Sequence, residues 1–340
     1  MGAMGAMGAM GAMGWQRPRG RDEAVRASAH RFVGSANDVA RPGRRLQSYG
    51  ESRRDAVSRL SGAASRRTLA EPEGAVQDSH MNPMAPRLLA ITRDISPAIE
   101  HCELTHLERT TIDLARARGE HEVYETVLQE LGCEVVRLPA GDDMPDSVFI
   151  EDTAVVLDEL AVIMRPGAAS RRVETAAVAA EVRSHRPVAA ILAPGTMDGG
   201  DVLRIGRRLM VGAGYRSNDA GIAQLRSIVS SQGYTVEAVT FTGCLHLKSA
   251  VSLVADDLVL INPAWVDAAL FSPLRVIEVD PAEPFAANAV MVGGSVIFPA
   301  EHPRTLARLQ GAGLDVRIVP AGELAKAEGG VTCCSLLLTL

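Results

Sequence analysis

A closed ring of five α/β units, one single-domain α/β propeller behind a disordered N-terminal extension, is the fold class predicted by the 340 residues. Three observations predict it. From Leu88 onward one syntax repeats: an amphipathic helix, a short apolar strand, then two strands joined by a tight turn. The fifth repeat runs out after a single strand, VTCCSLLLTL, so it needs a partner from elsewhere. RLLAITR at 87–93 is an unclaimed strand at the other end, and pairing the two would remove both free edges.

In chain order, the apolar spacing predicts helices over 111–131, 171–185, 218–231, 263–271 and 303–309. Ser170, Ser217, Asn262 and His302 stand where caps are expected, and Pro263 and Pro303 suit a first turn. Gly132, Pro187 and Gly233 are stops. The strands that follow, 133–139, 188–194, 234–241, 275–280 and 315–320, are β-branched and short. Strand pairs are expected over 152–165, 200–213, 248–262 and 288–300. Their turns fall at Asp158-Glu159, Gly206-Arg207, Asp256-Asp257 and Gly293-Gly294.

Residues 1–84 read differently. An MGA repeat gives way to an Arg-, Ser-, Gly- and Ala-rich stretch with no sustained apolar period. This part holds 13 Arg and no Lys against 8 acidic residues, a net of +5, whereas the rest carries −11 of the total −6. The division expected is a low-complexity basic extension at 1–84, unable to offset its ordering entropy, and a catalytic domain at 85–340. The acidic domain argues against a nucleic-acid partner and suits a cationic small molecule. No run approaches the roughly 18 apolar residues of a membrane span, so no membrane partner is expected. Five cysteines without a paired framework or CxxC fit a reducing, cytoplasmic location and no structural zinc.

Equivalent strand starts in a ring converge on one axis, and the residues there are unusual. They are Glu151-Asp152, Asp198 with Gly199-Gly200-Asp201, His246, Asn288 and Cys333. A thiol with an imidazole is a nucleophile–base pair, and a carboxylate such as Asp198 can orient the ring. Glu151 and Asp152 remain to hold a cation. Cys333 and Cys334 are read as lying in a strand, where only one of two neighbours can face a given cavity. GDVLRIG and VMVGGS lack the spacing and following helix of a phosphate loop. The chemistry expected is therefore that of a cofactor-free thiol hydrolase or transferase acting on a compact cation, with no metal.

The segments PDSVFIEDTAVV (145–156), PGAASRR (166–172), PGTMDGGDVL (194–203), GYRSN (214–218), LHLKS (245–249) and GGVTCCSLL (329–337) occur in one order. Together they resemble the dimethylarginine dimethylaminohydrolase family, guanidino-modifying enzymes with the five-bladed pentein fold. The resemblance covers about 86–340 and excludes 1–84. It implies Cys333 as nucleophile and Cys334 on the structural side. His246 would be general acid and base, and Asp198 the triad carboxylate, where some members carry Glu. Glu151 and Asp152 would grip the guanidinium, Asp146 the α-amino group, and Arg171 and Arg216 the α-carboxylate. Phe149 and Leu104 would complete the substrate pocket, and 102–110 would form a lid.

The implied reaction is hydrolysis of asymmetric dimethylarginine or monomethylarginine to L-citrulline and an amine through a thiouronium intermediate, in a monomer or homodimer. The nearest alternative is arginine deiminase or another guanidino hydrolase of this fold. Those enzymes typically carry an acid two positions after the histidine, where this chain has Lys248. From other classes come a metal-binding protein using Cys244, His246 and Cys333, and an inactive scaffold.

Overall fold

The structure, a computed structural model, describes residues 87–340; the extension predicted at 1–84 lies outside the described residues. Among the described residues, fifteen strands form five three-stranded sheets. In the first blade β1 (Leu88–Arg93) is central, parallel to β2 (Cys133–Leu138) and antiparallel to β15 (Leu336–Thr339). Leu88 lies opposite Thr339, and the Leu340 amide donates to the Arg87 carbonyl at 2.7 Å. The unclaimed strand and the unfinished repeat thus complete one blade.

The other four blades repeat the pattern, with an antiparallel pair followed by a parallel third strand. They are β3 (Ala154–Val156), β4 (Ala161–Ile163) and β5 (Val188–Ala190); β6 (Val202–Ile205), β7 (Arg208–Gly212) and β8 (Thr235–Val239). Then come β9 (Val251–Ala255), β10 (Leu258–Ile261) and β11 (Arg275–Glu278); and β12 (Val290–Val292), β13 (Ser295–Pro299) and β14 (Asp315–Val319).

Period-two alternation in the central strands closes the ring. Leu89 and Ile91 pack towards Ala161 and Ile163 of the second blade, while Ala90 packs towards Ile297 of the fifth. Val162 meets Leu209 and Val211, Met210 meets Val259 and Ile261, and Leu260 meets Val296 and Phe298. Five blades therefore share five buried apolar junctions. Each such side chain contributes on the order of 1.5–3 kcal/mol when removed from water. The innermost strands β3, β6, β9, β12 and β15 line a common axial cavity of about 650 Å3.

Helices α1 (Leu114–Glu130), α2 (Thr175–Val182), α3 (Asp219–Val229) and α5 (Pro303–Gly311) occupy four of the predicted spans. The short α4 (Leu247–Ala250) and α6 (Gly322–Ala325) are single turns. In α1 the buried positions Ala117, His121, Tyr124 and Leu128 recur at helical spacing. The helix predicted at 263–271 is corrected to a 3-10 turn at Ala268–Phe271. Two local caps start separate turns there: Asn262 accepts from the Ala264 amide and Asp267 from the Ala269 amide.

Three expected caps also move. Asn218, not Ser217, caps α3 through the Gly221 amide, and Ser170 turns aside to Glu103. His302 makes no side-chain cap. The carboxylate of Glu283 reaches over to accept the Arg304 and Thr305 amides at 2.9 and 2.8 Å instead. Among the described residues no helix is long and apolar enough to cross a membrane.

Candidate active site

The first strands of the blades are reached through short helical turns. Ile150–Thr153 leads into β3, Gly199–Asp201 into β6, α4 into β9 and Val331–Cys334 into β15. This corrects the reading of the paired thiols as strand residues: Cys333 and Cys334 lie in a 3-10 turn. At about three residues per turn, neighbours there point roughly 120° apart and can serve different surroundings. Cys333 lines a small enclosed cavity with His246, Asp152, Asp146, Phe149, Arg171 and Arg216. Cys334 joins the core beneath α1, beside His121 and Tyr124.

The turn carrying Cys333 is clamped from the fifth blade. Asn288 donates to Thr332 Oγ1 at 2.9 Å and accepts the Thr332 amide at 3.0 Å, while also reaching the Lys248 carbonyl. The Gly330 amide points at Cys333 Sγ, 3.3 Å away. A Cβ on Gly329 would fall 2.1 Å from the Phe149 ring, so only glycine lets that ring pack against the approach to the thiol.

His246 Nε2 lies 3.0 Å from Asp198 Oδ2 and 3.7 Å from Asp152 Oδ1. The aspartate at 198 therefore reaches the imidazole, and its other oxygen accepts the Gly167 amide at 2.8 Å. Gly200 makes the approach of Asp152 possible: a Cβ there would sit 2.6 Å from Asp152 Oδ1 and 2.8 Å from the imidazole. Its amide donates to Asp152 Oδ1 at 3.0 Å.

Arg171 is buried and fully engaged. It donates to Asp152 Oδ2 at 2.5 Å, to Glu174 at 2.9 Å, and to the Asp146 and Phe149 carbonyls. Arg216, by contrast, makes one long contact with Thr105 Oγ1 at 3.5 Å. Asp146 accepts the Glu103 amide with both oxygens at 3.2 Å. Leu104 packs against the core between the first and fifth blades, and its neighbour Glu103 lines the cavity instead. Glu151 pairs with Lys248 and faces the axial cavity, with Oε2 buried and unpartnered.

This arrangement spreads the titrations. Burial alone would lower the His246 pKa, but Asp152, the hydrogen bond to Asp198 and Asp201 together raise it to about 9. Burial, then the charges of Glu151 and Asp152, push the Cys333 thiol up to about 12. Burial works against ionised Asp152, yet His246 and Arg171 hold it at about 2. Both shifts favour the thiol and the imidazolium at neutral pH.

Four contributors escaped sequence reasoning: Glu174, Ser217, Thr332 and Glu328. Glu174 had a signal in its i,i+3 spacing from Arg171. Ser217 donates to the buried Asp201 at 2.7 Å, whose other oxygen holds the Leu247 amide beside His246. Burial first, against the pull of His246, raises Asp201 to about 6.

Asp152, Asp198 and His246 place ligand-type atoms within 4.8 Å of one another, the one such group among the described residues. Arg171 and the Gly167 and Gly200 amides already satisfy its carboxylates. The alternative trio differs: Cys244 donates its thiol to the His246 carbonyl.

Comparison with known proteins identifies the lineage. A dimethylarginine dimethylaminohydrolase of Streptomyces coelicolor is 40% identical over 255 residues, spanning 74% of this chain and 98% of the relative. The chain belongs to the dimethylarginine dimethylaminohydrolase family. The Pseudomonas aeruginosa enzyme is 34% identical over 226 residues, 66% of this chain and 89% of its own. A solved P. aeruginosa structure, a cysteine-to-serine mutant complexed with citrulline, superposes with a TM-score of 0.71 at 32% identity. It covers 73% of this chain and 98% of that one. The arginine deiminase family model matches residues 141–290. The five-bladed ring is thus the pentein fold, and the protein is a hydrolase of guanidino C–N bonds.

Proposed function

We propose that this hydrolase converts asymmetric dimethylarginine or monomethylarginine to L-citrulline, with Cys333 as nucleophile and His246 as general acid and base. The observation that carries this reading is the shared cavity of Cys333, His246 and the Asp152–Arg171 pair, with Asp198 bonded to the imidazole. A guanidinium bound beside Asp152 in this cavity offsets one of the charges that raise the thiol. Substrate therefore favours the thiolate it requires.

Cys333 Sγ adds to the guanidinium carbon, and the bond to the methylated nitrogen breaks as His246 supplies its proton. Methylamine or dimethylamine leaves, and a thiouronium remains on sulfur. His246 then takes a proton from water, the hydroxide adds to the same carbon, and the C–S bond breaks to return the thiolate with citrulline. Asp198 holds the imidazole through both transfers, and the carboxylates keep positive charge at the reacting centre. Asp146 and Arg216 suit the amino-acid end, because each has only light contacts with the lid stretch. Arg171, tied to two acids and two carbonyls, orders Asp152 as well as lining that end.

The arginine deiminase match over 141–290 favours one second reading, unmethylated arginine. Lys248, paired to Glu151, stands where those enzymes would place an acid, which supports the methylated substrates. Citrulline release from asymmetric dimethylarginine, monomethylarginine and arginine separates the two. We expect the methylated compounds to be faster, and fastest turnover of arginine would overturn the assignment.

A further inference from the structure

Among the described residues, Glu328 is the sole residue other than glycine in the left-handed region, with φ +58°. It occupies the position after the turn of α6 that glycine normally takes. The Gly329 amide bonds back to the Leu324 carbonyl and the Glu328 amide to the Ala325 carbonyl, the two bonds of a Schellman ending. Only glycine fits that conformation without steric cost, so a glutamate there needs a compensating interaction. Its side chain supplies one. Glu328 Oε1 accepts the backbone amides of three consecutive lid residues, Thr105 (2.9 Å), His106 and Leu107 (2.7 Å). No regular structure holds those residues, and Thr105 and His106 are exposed.

The same residue touches both sides of the chemistry. Glu328 lines the small cavity with Cys333 and His246, and also a neighbouring cavity of about 260 Å3 that His106 and Leu107 share. Two residues further on, the Gly330 amide points at the nucleophilic sulfur. A charge that gathers three amide dipoles binds a loop more firmly than neutral contacts do.

We propose that Glu328 is the clasp of the lid. It is a positioning residue that fixes 105–107 over the cavity and ties lid closure to the turn carrying Cys333. The kinetic part of this proposal rests on the guanidino-hydrolase reading; the backbone part does not.

Glu328→Gly removes the carboxylate and relieves the backbone at the same stroke, and Glu328→Gln keeps an acceptor oxygen without the charge. In the ligand-free full chain, amide hydrogen exchange at 105–107 should speed up by about tenfold in Glu328→Gly, with most protection restored in Glu328→Gln. Melting temperature should hold or rise in Glu328→Gly, which a merely structural glutamate would not permit. With methylated arginine, KM should rise about tenfold in Glu328→Gly while kcat changes less, and Glu328→Gln should recover most of the loss. Unchanged exchange at 105–107 in Glu328→Gly would overturn the clasp. So would equal KM values for Glu328→Gly and the unaltered protein. If the unaltered protein turns over no guanidino substrate, the functional reading fails and exchange alone still decides this proposal.

Discussion

Glu151 and Asp152 are neighbours on one turn, yet they serve opposite sides of the ring. Asp152 faces the small cavity that Cys333 and His246 share, where His246 and Arg171 hold its carboxyl at about 2 against the effect of burial. Glu151 faces the axial cavity, where burial outweighs the single ammonium of Lys248 and raises its pKa. Cys333 and Cys334 divide in the same manner between the cavity and the core under α1. The difference teaches how one fold sets two environments for the same residue type. One face crowds charge into little space, whereas the other spreads the Glu151–Lys248 and Asp158–Arg204 pairs around a larger cavity. Groups of one chemical type are driven apart by the side they face.

The sharpest way to break the comparison is at the thiols. Cys333→Ser should lower citrulline release by at least about 10^3-fold, as loss of a nucleophile does. Cys334→Ser should retain activity within a few-fold but lose about 1–3 kcal/mol in denaturant unfolding, because it buries a hydroxyl in a core. Activity lost in the second variant and kept in the first would reverse the two roles.

The two buried ion pairs give the next test. Arg171→Met should cost about 3–5 kcal/mol, since Asp152 and Glu174 would be left buried without their cation. Lys248→Met should cost about 1 kcal/mol or less, because Glu151, already raised, can take up a proton. Comparable urea midpoints for the two variants would erase the contrast drawn here.

A further test is a pH dependence of stability. His246 titrates at about 9 in the folded protein against an ordinary 6.5, so folding is favoured when the ring is charged. That contribution is complete below about pH 6.5 and disappears as pH rises through 9. The fall in melting temperature between pH 7 and pH 10 should therefore be shallower in His246→Asn than in the unaltered protein. Identical slopes would show that the imidazolium is not held by its acids.

Much of this was legible in the residues. Alternating apolar positions gave each central strand two buried faces, and five repeats of that pattern imply five junctions. Position within the repeat located Asp152, Asp198, His246 and Cys333 together. What was hidden has physical causes. A turn of four residues such as Val331–Cys334 is too short to show helical periodicity beside a β-type run. The break at 263–271 depends on two side chains choosing local amides over a continuous helix. Glu328 occupies a conformation that sequence rules assign to glycine, so its contact with 105–107 left no local trace. Glu283 caps a helix that begins some twenty residues later in the chain, which no local pattern encodes.

The turns that lead into the blades come from segments scattered along the polypeptide, and each brings only one or two of the reacting groups. Sulfur, imidazole and acids meet only where the sectors that carry them are seated together. In the reading proposed above, catalytic competence leans on the blade junctions as the fold does: opening one between two contributing sectors would part the groups without removing any of them.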